Sequence, residues 1–489
     1  MYNLLQAYSD ENPEKFNEEL IYLKEHDEVL THINSIFKAL EVINGVEFLG
    51  STINKDESSF PDYIKNEKHQ VNIEESRHML ITFKFRIFDN KTGEEEIIEK
   101  SLFFPKLIDK TYFILNGNKF FPIYQIIDSA TYNNNSSLTL KTLLMGVTIR
   151  TKDIEFYDMD DNKYEGVIKV IDLFKNKLNY LMYFFVDRGY NDTLEYFLGS
   201  ENVKKIHLVL ENSKEHKKIN NNNYVQFKLK EETILAVEKE LFDRYFKFFT
   251  NVIDILSDTE MFQILDKNYW KLEMGKLFSR NKNNYESKAD DILISFKRIL
   301  DNSTQSTLRL KEENKSDIFA IIRWMVRNYD TLIYQDNMSL DYKRIRINEY
   351  LCYDLLIKMS NSTYRLLNKS EITLKDRQTL FSTLTPMYIL KKIGSNELLR
   401  YFGGVNAIEL FNPSLKFSQR GFQGLGEGSR DVNKSYRGLH YSYPGRIGLT
   451  SSSAGDPGMS GTFTPFSKIY VDNGFYFSDT MLDENEQDF

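Results

Sequence analysis

Residues 111–127 read TYFILNGNKFFPIYQII. Two apolar runs flank Asn116 and Gly117, and an Asn-Gly pair in that setting predicts a two-residue hairpin turn, because both central positions need positive φ. Upstream, residues 78–104, HMLITFKFRIFDNKTGEEEIIEKSLFF, alternate apolar and polar side chains over two segments about a DNKTG turn. That period of two predicts another antiparallel hairpin with one buried face. Before it, Phe16, Leu20, Ile21, Leu23, Leu30, Ile33, Ile36 and Leu40 recur at helical spacing, so residues 12–43 read as helices.

Beyond the Asn-Gly hairpin the pattern is mixed. GVTIRTKDIEFYDM (146–159) and GVIKVIDLF (166–174) read as strands, and ETILAVEKELFDRYFKFFTNVIDIL (232–256) as helical segments. SDIFAIIRWMVRNYDTLI (316–333), with Trp324, and RINEYLCYDLLIKMSNSTYRLLN (346–368) each read as one long helix. SKIYVDNGFYF (467–477) returns to short strands around an Asn-Gly. The fold class expected is α+β, with the middle of the chain inserted into the unit that holds the hairpins.

At 489 residues and 41% hydrophobic content the chain can bury several cores. A single cysteine, Cys352, excludes a disulfide framework and fits a reducing compartment. The polar start lacks the order of a signal peptide, and no run approaches the roughly 18 apolar residues that span a bilayer, so a soluble chain without membrane contact is expected. The net charge of −8 argues against coating nucleic acid with the whole surface. Residues 411–470 differ, with seven basic side chains (Lys416, Arg420, Arg430, Lys434, Arg437, Arg446, Lys468) against three acidic.

The same region holds ten of the 23 glycines between Gly421 and Gly461. GLGEGSR (424–430) lacks the Gly-Lys-Ser/Thr ending of a P-loop and the strand, turn and helix order of a dinucleotide site, so a mobile loop is the better reading than a nucleotide cradle. Its arginines fit either a solvated face or guanidiniums placed for phosphate. The seven histidines show no metal-ligand spacing, and no nucleophile elbow or HExxH occurs. Lys343, Arg344 and Arg346 read as the start of a helix, where basic charge opposes the dipole and calls for an external anion or an acidic neighbour.

Taken in order, several of these segments resemble the N-terminal half of the β (second-largest) subunit of multisubunit DNA-directed RNA polymerases. SLFFPKLIDKTYFILNGNKFFPIYQII (101–127) is similar to the segment where a proline-containing strand leads to an Asn-Gly hairpin and a strand ending in a Gln. NKLNYLMYFFVDRGYNDTLEYFL (176–198) resembles part of the lobe, and SLDYKRIRINEYL (339–351) the return from lobe to protrusion. IGSNELLRYF (393–402), FNPSLKFSQRGFQGLGEG (411–428) and YRGLHYSYPGRIGLTSSSAGDPGMSG (436–461) are similar to the rifamycin-pocket and fork-loop region, with its Arg-x-x-His and Gly-Arg. The family's loop glutamates are missing; Ser451 to Ser453 and Ala454 stand there, with Asp456 the only acid nearby.

The resemblance implies five parts: an N-terminal helical segment (1–45), a first protrusion-like part (46–125), a lobe-like insert (126–330), a protrusion-like return (331–410), and a fork-loop and core region (411–489). It implies a DNA-directed RNA polymerase subunit that forms cleft wall and fork loop and is inactive alone. Magnesium would act in the assembled enzyme, bound by another subunit. The chain stops soon after the fork, as in the split β-like polypeptides of giant bacteriophages. Expected partners are then a C-terminal β-like polypeptide, split β′-like polypeptides, DNA template, RNA transcript and a promoter-specificity subunit, in the cytoplasm of a bacterial host or in the virion.

The resemblance places Arg420, Arg430, Lys434, Arg437 and Arg446 by template, non-template or hybrid phosphates, and Lys343, Arg344 and Arg346 by the downstream non-template strand. Alanine at Arg437 or Arg446 should weaken elongation and salt tolerance more than alanine at Lys24. Two other readings stand beside this one. A phage structural or scaffold protein would not require basic glycine loops; a single-strand-binding module would use Phe422, Tyr436, Tyr441 and Tyr443 for stacking.

Overall fold

The computed structural model describes residues 26–54, 60, 63, 78–89, 93–108, 112–134, 137–174, 177–211, 213–219, 223–230, 232–279, 282–301, 304–305, 308, 315–346, 352–369, 371–394, 396, 398–402, 415–421, 424, 438–448, 459–464, 468–470 and 476–478. The helix expected near the start runs His26–Ala39, with Ile33, Ile36 and Phe37 buried; residues 12–25 lie outside the described residues. Three antiparallel strands follow in the order β1 (Val46–Asn54), β2 (His78–Phe88) and β3 (Glu95–Pro105). The predicted alternation puts Ile81, Phe83, Phe85 and Ile87 of β2 in the core, where Phe37 packs 4.7 Å from Phe83 and 5.1 Å from Phe85, ring centre to ring centre. Gly93, at φ +72°, closes the β2–β3 connection by donating its N–H to Asp89 O at 2.8 Å.

Next come β4 (Leu107–Ile108), β5 (Tyr112–Leu115) and β6 (Asn118–Pro122). Asn116 and Gly117 take φ +49° and +73°, the two positive values expected, and Leu115 pairs with Asn118. The apolar run after the turn does not stay in one sheet. Pro122 has no N–H to extend the ladder, and after Ile123, whose N–H goes to Leu398 O, β7 (Tyr124–Asp128) enters a different sheet.

The middle of the chain builds its own core. Strands β8 (Thr131–Asn134), β9 (Ser137–Lys141), β10 (Gly146–Tyr157), β11 (Lys163–Leu173) and β12 (Leu178–Asn179) form a sheet in sequential neighbour order, and β13 (Ile206–Leu210), β14 (Tyr224–Lys228) and β15 (Thr233–Glu238) a second in the order β13-β15-β14. The expectation of helix from residue 232 is corrected here: TILAVE is a central strand with its first five residues buried, so no alternation marks it, and the helices Lys239–Arg244 and Phe246–Leu256 begin only after it. The single helix expected over 316–333 is two, Ile318–Arg327 and Tyr329–Ile333, parted at Asn328; Asp317 caps the first by accepting from Ala320 N at 2.6 Å. The buried apolar cluster of this part runs from Leu138 to Tyr329.

The chain then returns. β16 (Lys343–Arg346) is a strand, not a helix start, and the helix expected over 346–368 spans Tyr353–Leu367. Helices Leu374–Ser382 and Tyr388–Ile393 pack on β2 and β3, and β17 (Leu399–Phe402) pairs with β6 of the Asn-Gly hairpin. A second core is thus shared between residues 33–144 and 352–399, on either side of the first. Finally β18 (Lys416–Ser418) and β19 (Ser460–Thr462) join β7, and β20 (Lys468–Tyr470) pairs with β21 (Tyr476–Ser478).

Candidate nucleic-acid interface

Strand β7 is the meeting point of three distant parts of the chain. It pairs antiparallel with β16 and parallel with β18, and β18 pairs with β19, giving the order β16-β7-β18-β19. A small third core holds this sheet and its loops together: Tyr124, Ile126, Leu340, Ile345, Phe417, Tyr443, Ile447 and Phe463. Phe417 stacks on Phe463 at 4.9 Å, and Tyr124 meets Phe463 at 5.4 Å. Burial pushes the Tyr124 and Tyr443 phenols up, so both stay neutral and act as apolar bodies with one polar tip.

Residues 438–448 wrap the end of this sheet. His440 bridges its neighbours, with Nδ1 2.8 Å from Ser442 Oγ and Nε2 3.1 Å from Asp336 Oδ2, while Leu340 N donates to Ser442 Oγ at 3.1 Å. Arg446 N donates to Tyr443 O, and Arg446 O accepts from Thr464 N, both at 3.0 Å. The loop that carries Arg446 is therefore tied to the segment leading into β16 on one side and to the end of β19 on the other. A model of the family described as non-virion RNA polymerase subunit matches residues 2–489.

The chain belongs to that family. Comparison with curated proteins returned no match. As a polymerase subunit it is one part of an enzyme complex, and other polymerase subunits are its partners. Among the described residues, no group of three or more His, Cys, Asp or Glu side chains could hold a metal ion. No helix among them is long and apolar enough to cross a membrane.

Within this subunit the basic residues singled out from sequence fall into three groups. Arg420 and Arg446 are half-buried, both on the stretch of chain between β18 and β19, and Arg344 is half-buried on β16; Arg346 pairs through its backbone with Gln125. Arg430, Lys434 and Arg437 lie outside the described residues. Lys343 already has an acidic partner. It is 5% exposed, with Nζ 2.6 Å from Asp128 Oδ1, so its charge is matched inside the sheet and a phosphate would have to displace that carboxylate. Of the two ways to satisfy a basic cluster there, the acidic neighbour is the one found at Lys343, although on a strand. Of the tyrosines considered for base stacking, Tyr443 is buried and Tyr441 is 82% exposed; Phe422 and Tyr436 lie outside the described residues.

Sequence reasoning missed two residues that organise this region. Gln125 was seen only as the end of a strand, and His440 only as part of an Arg-x-x-His. Their partners, Arg420 and Asp336, are 295 and 104 residues away. The one available signal was a polar glutamine inside an apolar run, since a buried amide must find hydrogen-bond partners.

Proposed function

We propose that this polymerase subunit is β-like, its outer parts acting as protrusion and its inserted part as lobe, and that the β16-β7-β18-β19 sheet with its loops borders the nucleic acid near the active centre. The observation that carries the reading is the convergence on β7. The hairpin segment, the return after the insert and the glycine-rich basic region share one sheet, and along the chain they follow the order of segments in the β resemblance. Arg420, Arg446, Arg344 and Arg346, joined by Arg430, Lys434 and Arg437, would contact phosphates, which positions nucleic acid without reading its sequence. Lys343 is left out of that set because of Asp128.

In this reading the catalytic carboxylates and their magnesium ions belong to a β′-like chain, and a further β-like polypeptide completes the cleft. The template is DNA and the product RNA. The family's description as a non-virion enzyme favours work in the host cytoplasm over packaging. Purifying the complex through a tag on this chain, identifying its subunits and assaying transcription tests the proposal. Polymerase-like β and β′ partners and RNA synthesis that this chain alone lacks are expected; recovery with capsid or scaffold proteins would defeat it. In the active complex, Arg446→Ala should lower the salt concentration that halts elongation, and Lys24→Ala should leave it unchanged. Equal effects would remove Arg446 from the interface.

A further inference from the structure

Gln125 is fully buried in the middle of the small sheet, paired through its backbone with Arg346 of β16 on one side and Ser418 of β18 on the other. Its side chain reaches past the end of β18, where Nε2 donates to the carbonyl oxygen of Arg420 at 2.8 Å. The turn there closes around that amide. Arg420 N donates to Ser418 Oγ at 3.1 Å, Gln419 N to Met459 O at 2.7 Å, and Gly424 N to Gly421 O at 3.0 Å. Gly421 has φ +101°, and a Cβ on it would stand 3.0 Å from Gln125 Nε2; a Cβ on Gly424 would stand 2.3 Å from Gln419 O. Neither glycine accepts a side chain without moving the turn.

We propose that Gln125 is a positioning residue for Arg420: its buried amide fixes the turn from which the guanidinium meets nucleic-acid phosphate. This rests on the reading of Arg420 as a phosphate contact. Arginine recognises phosphate through a planar fork, so its value depends on where the backbone launches it. Three restraints converge on Arg420. Its carbonyl is held by Gln125, its N–H by Ser418, and its Nη2 lies 3.8 Å from Met459 Sδ. Of these, the Gln125 bond joins residues that are 295 positions apart, so it couples the hairpin segment to the basic loop. Losing it frees the turn to shift even though the arginine itself remains.

The test uses the polymerase assembled from all its subunits and a preformed DNA–RNA scaffold, with Kd measured over a range of KCl concentrations. Each phosphate contact adds about 0.7 to 0.9 to the slope of log affinity against log salt. Arg420→Ala should reduce the slope by about that amount. Gln125→Met keeps the chain length but cannot donate, and should reduce the slope equally, with no further loss in the double variant. Gly424→Ala leaves Gln125 in place but crowds the same turn, its Cβ standing 2.3 Å from Gln419 O and 3.2 Å from Gln125 Nε2, and should act in the same direction, which keeps the test open if Gln125→Met fails to assemble. A normal slope in assembled Gln125→Met and Gly424→Ala, beside a reduced one in Arg420→Ala, overturns the positioning role and leaves the phosphate contact standing. A normal slope in Arg420→Ala removes the phosphate contact, and the positioning role with it.

Discussion

Lys288→Met is expected to stabilise the chain by about 3 kcal/mol at pH 7, measured by urea unfolding. Lys288 lies on the helix Tyr285–Lys297, is 1% exposed, and its Nζ has no hydrogen-bond partner. Burial pushes its ammonium down to about 8 from the ordinary 10.5, with Asp291 opposing and Lys177 reinforcing the fall. At about 1.4 kcal/mol for each pH unit, keeping the charge in the folded state costs about 3 kcal/mol. The unfolded chain holds this proton more tightly, so stability should rise from about pH 8 to about pH 10.5 in the natural chain. The methionine variant should lack that rise. A destabilised variant would mean that the ammonium makes a bond worth more than its burial.

The opposite sign is expected at Arg377, on the helix Leu374–Ser382 and 4% exposed. Its Nε donates to Asn44 O at 2.9 Å, one Nη donates to Ile372 O at 3.2 Å, and the same Nη lies 3.8 Å from Asp89 Oδ2. Replacement by methionine strands one buried and one partly buried carbonyl and leaves a largely buried carboxylate without this cation, so a loss of about 3 to 5 kcal/mol is expected. Lysine should recover little, because a single ammonium cannot span acceptors that the guanidinium fork reaches together. Gly45 makes the site intolerant from the other side: it has φ +84°, and a Cβ there would lie 2.3 Å from Phe88 O and 2.7 Å from Arg377 Nε. Full rescue by Arg377→Lys would show that charge alone matters there.

Both residues sit where the two large cores meet. Asn44 Nδ2 donates to Asp291 Oδ1 at 3.0 Å, Ser295 Oγ to Val42 O at 2.6 Å, and Lys177 Nζ to Asn368 Oδ1 at 2.6 Å, each linking the inserted core to the surrounding one. These cross-links are polar, as contacts between domains usually are, whereas each core is apolar.

The hairpins were legible because their signals are local. Asn116-Gly117 marks its own turn, and the alternation from Met79 to Ile87 marks one buried face. The strand at Thr233–Glu238 was not, because a strand buried on both faces carries no period and is followed at once by helix. Lys343–Arg346 failed for a related reason: four residues are too few to show a period, and the partners that make them a strand, residues 125–128, lie over 200 positions earlier. The parallel pairing of β7 with β18 is equally non-local. In the candidate interface, residue types and their order along the chain were readable, whereas the neutralisation of Lys343 by Asp128 and the grip of Gln125 on Arg420 depend on that pairing.

The central claim is that the β16-β7-β18-β19 sheet borders nucleic acid in the working polymerase. Tyr441, 82% exposed next to the His440 bridge, and Phe262, 73% exposed on the inserted part, are the positions to carry a photo-crosslinking amino acid. With the assembled enzyme stalled on a labelled DNA–RNA scaffold, a crosslink to nucleic acid from position 441 that exceeds any from position 262 is predicted. Crosslinks from position 441 to protein alone would contradict the account.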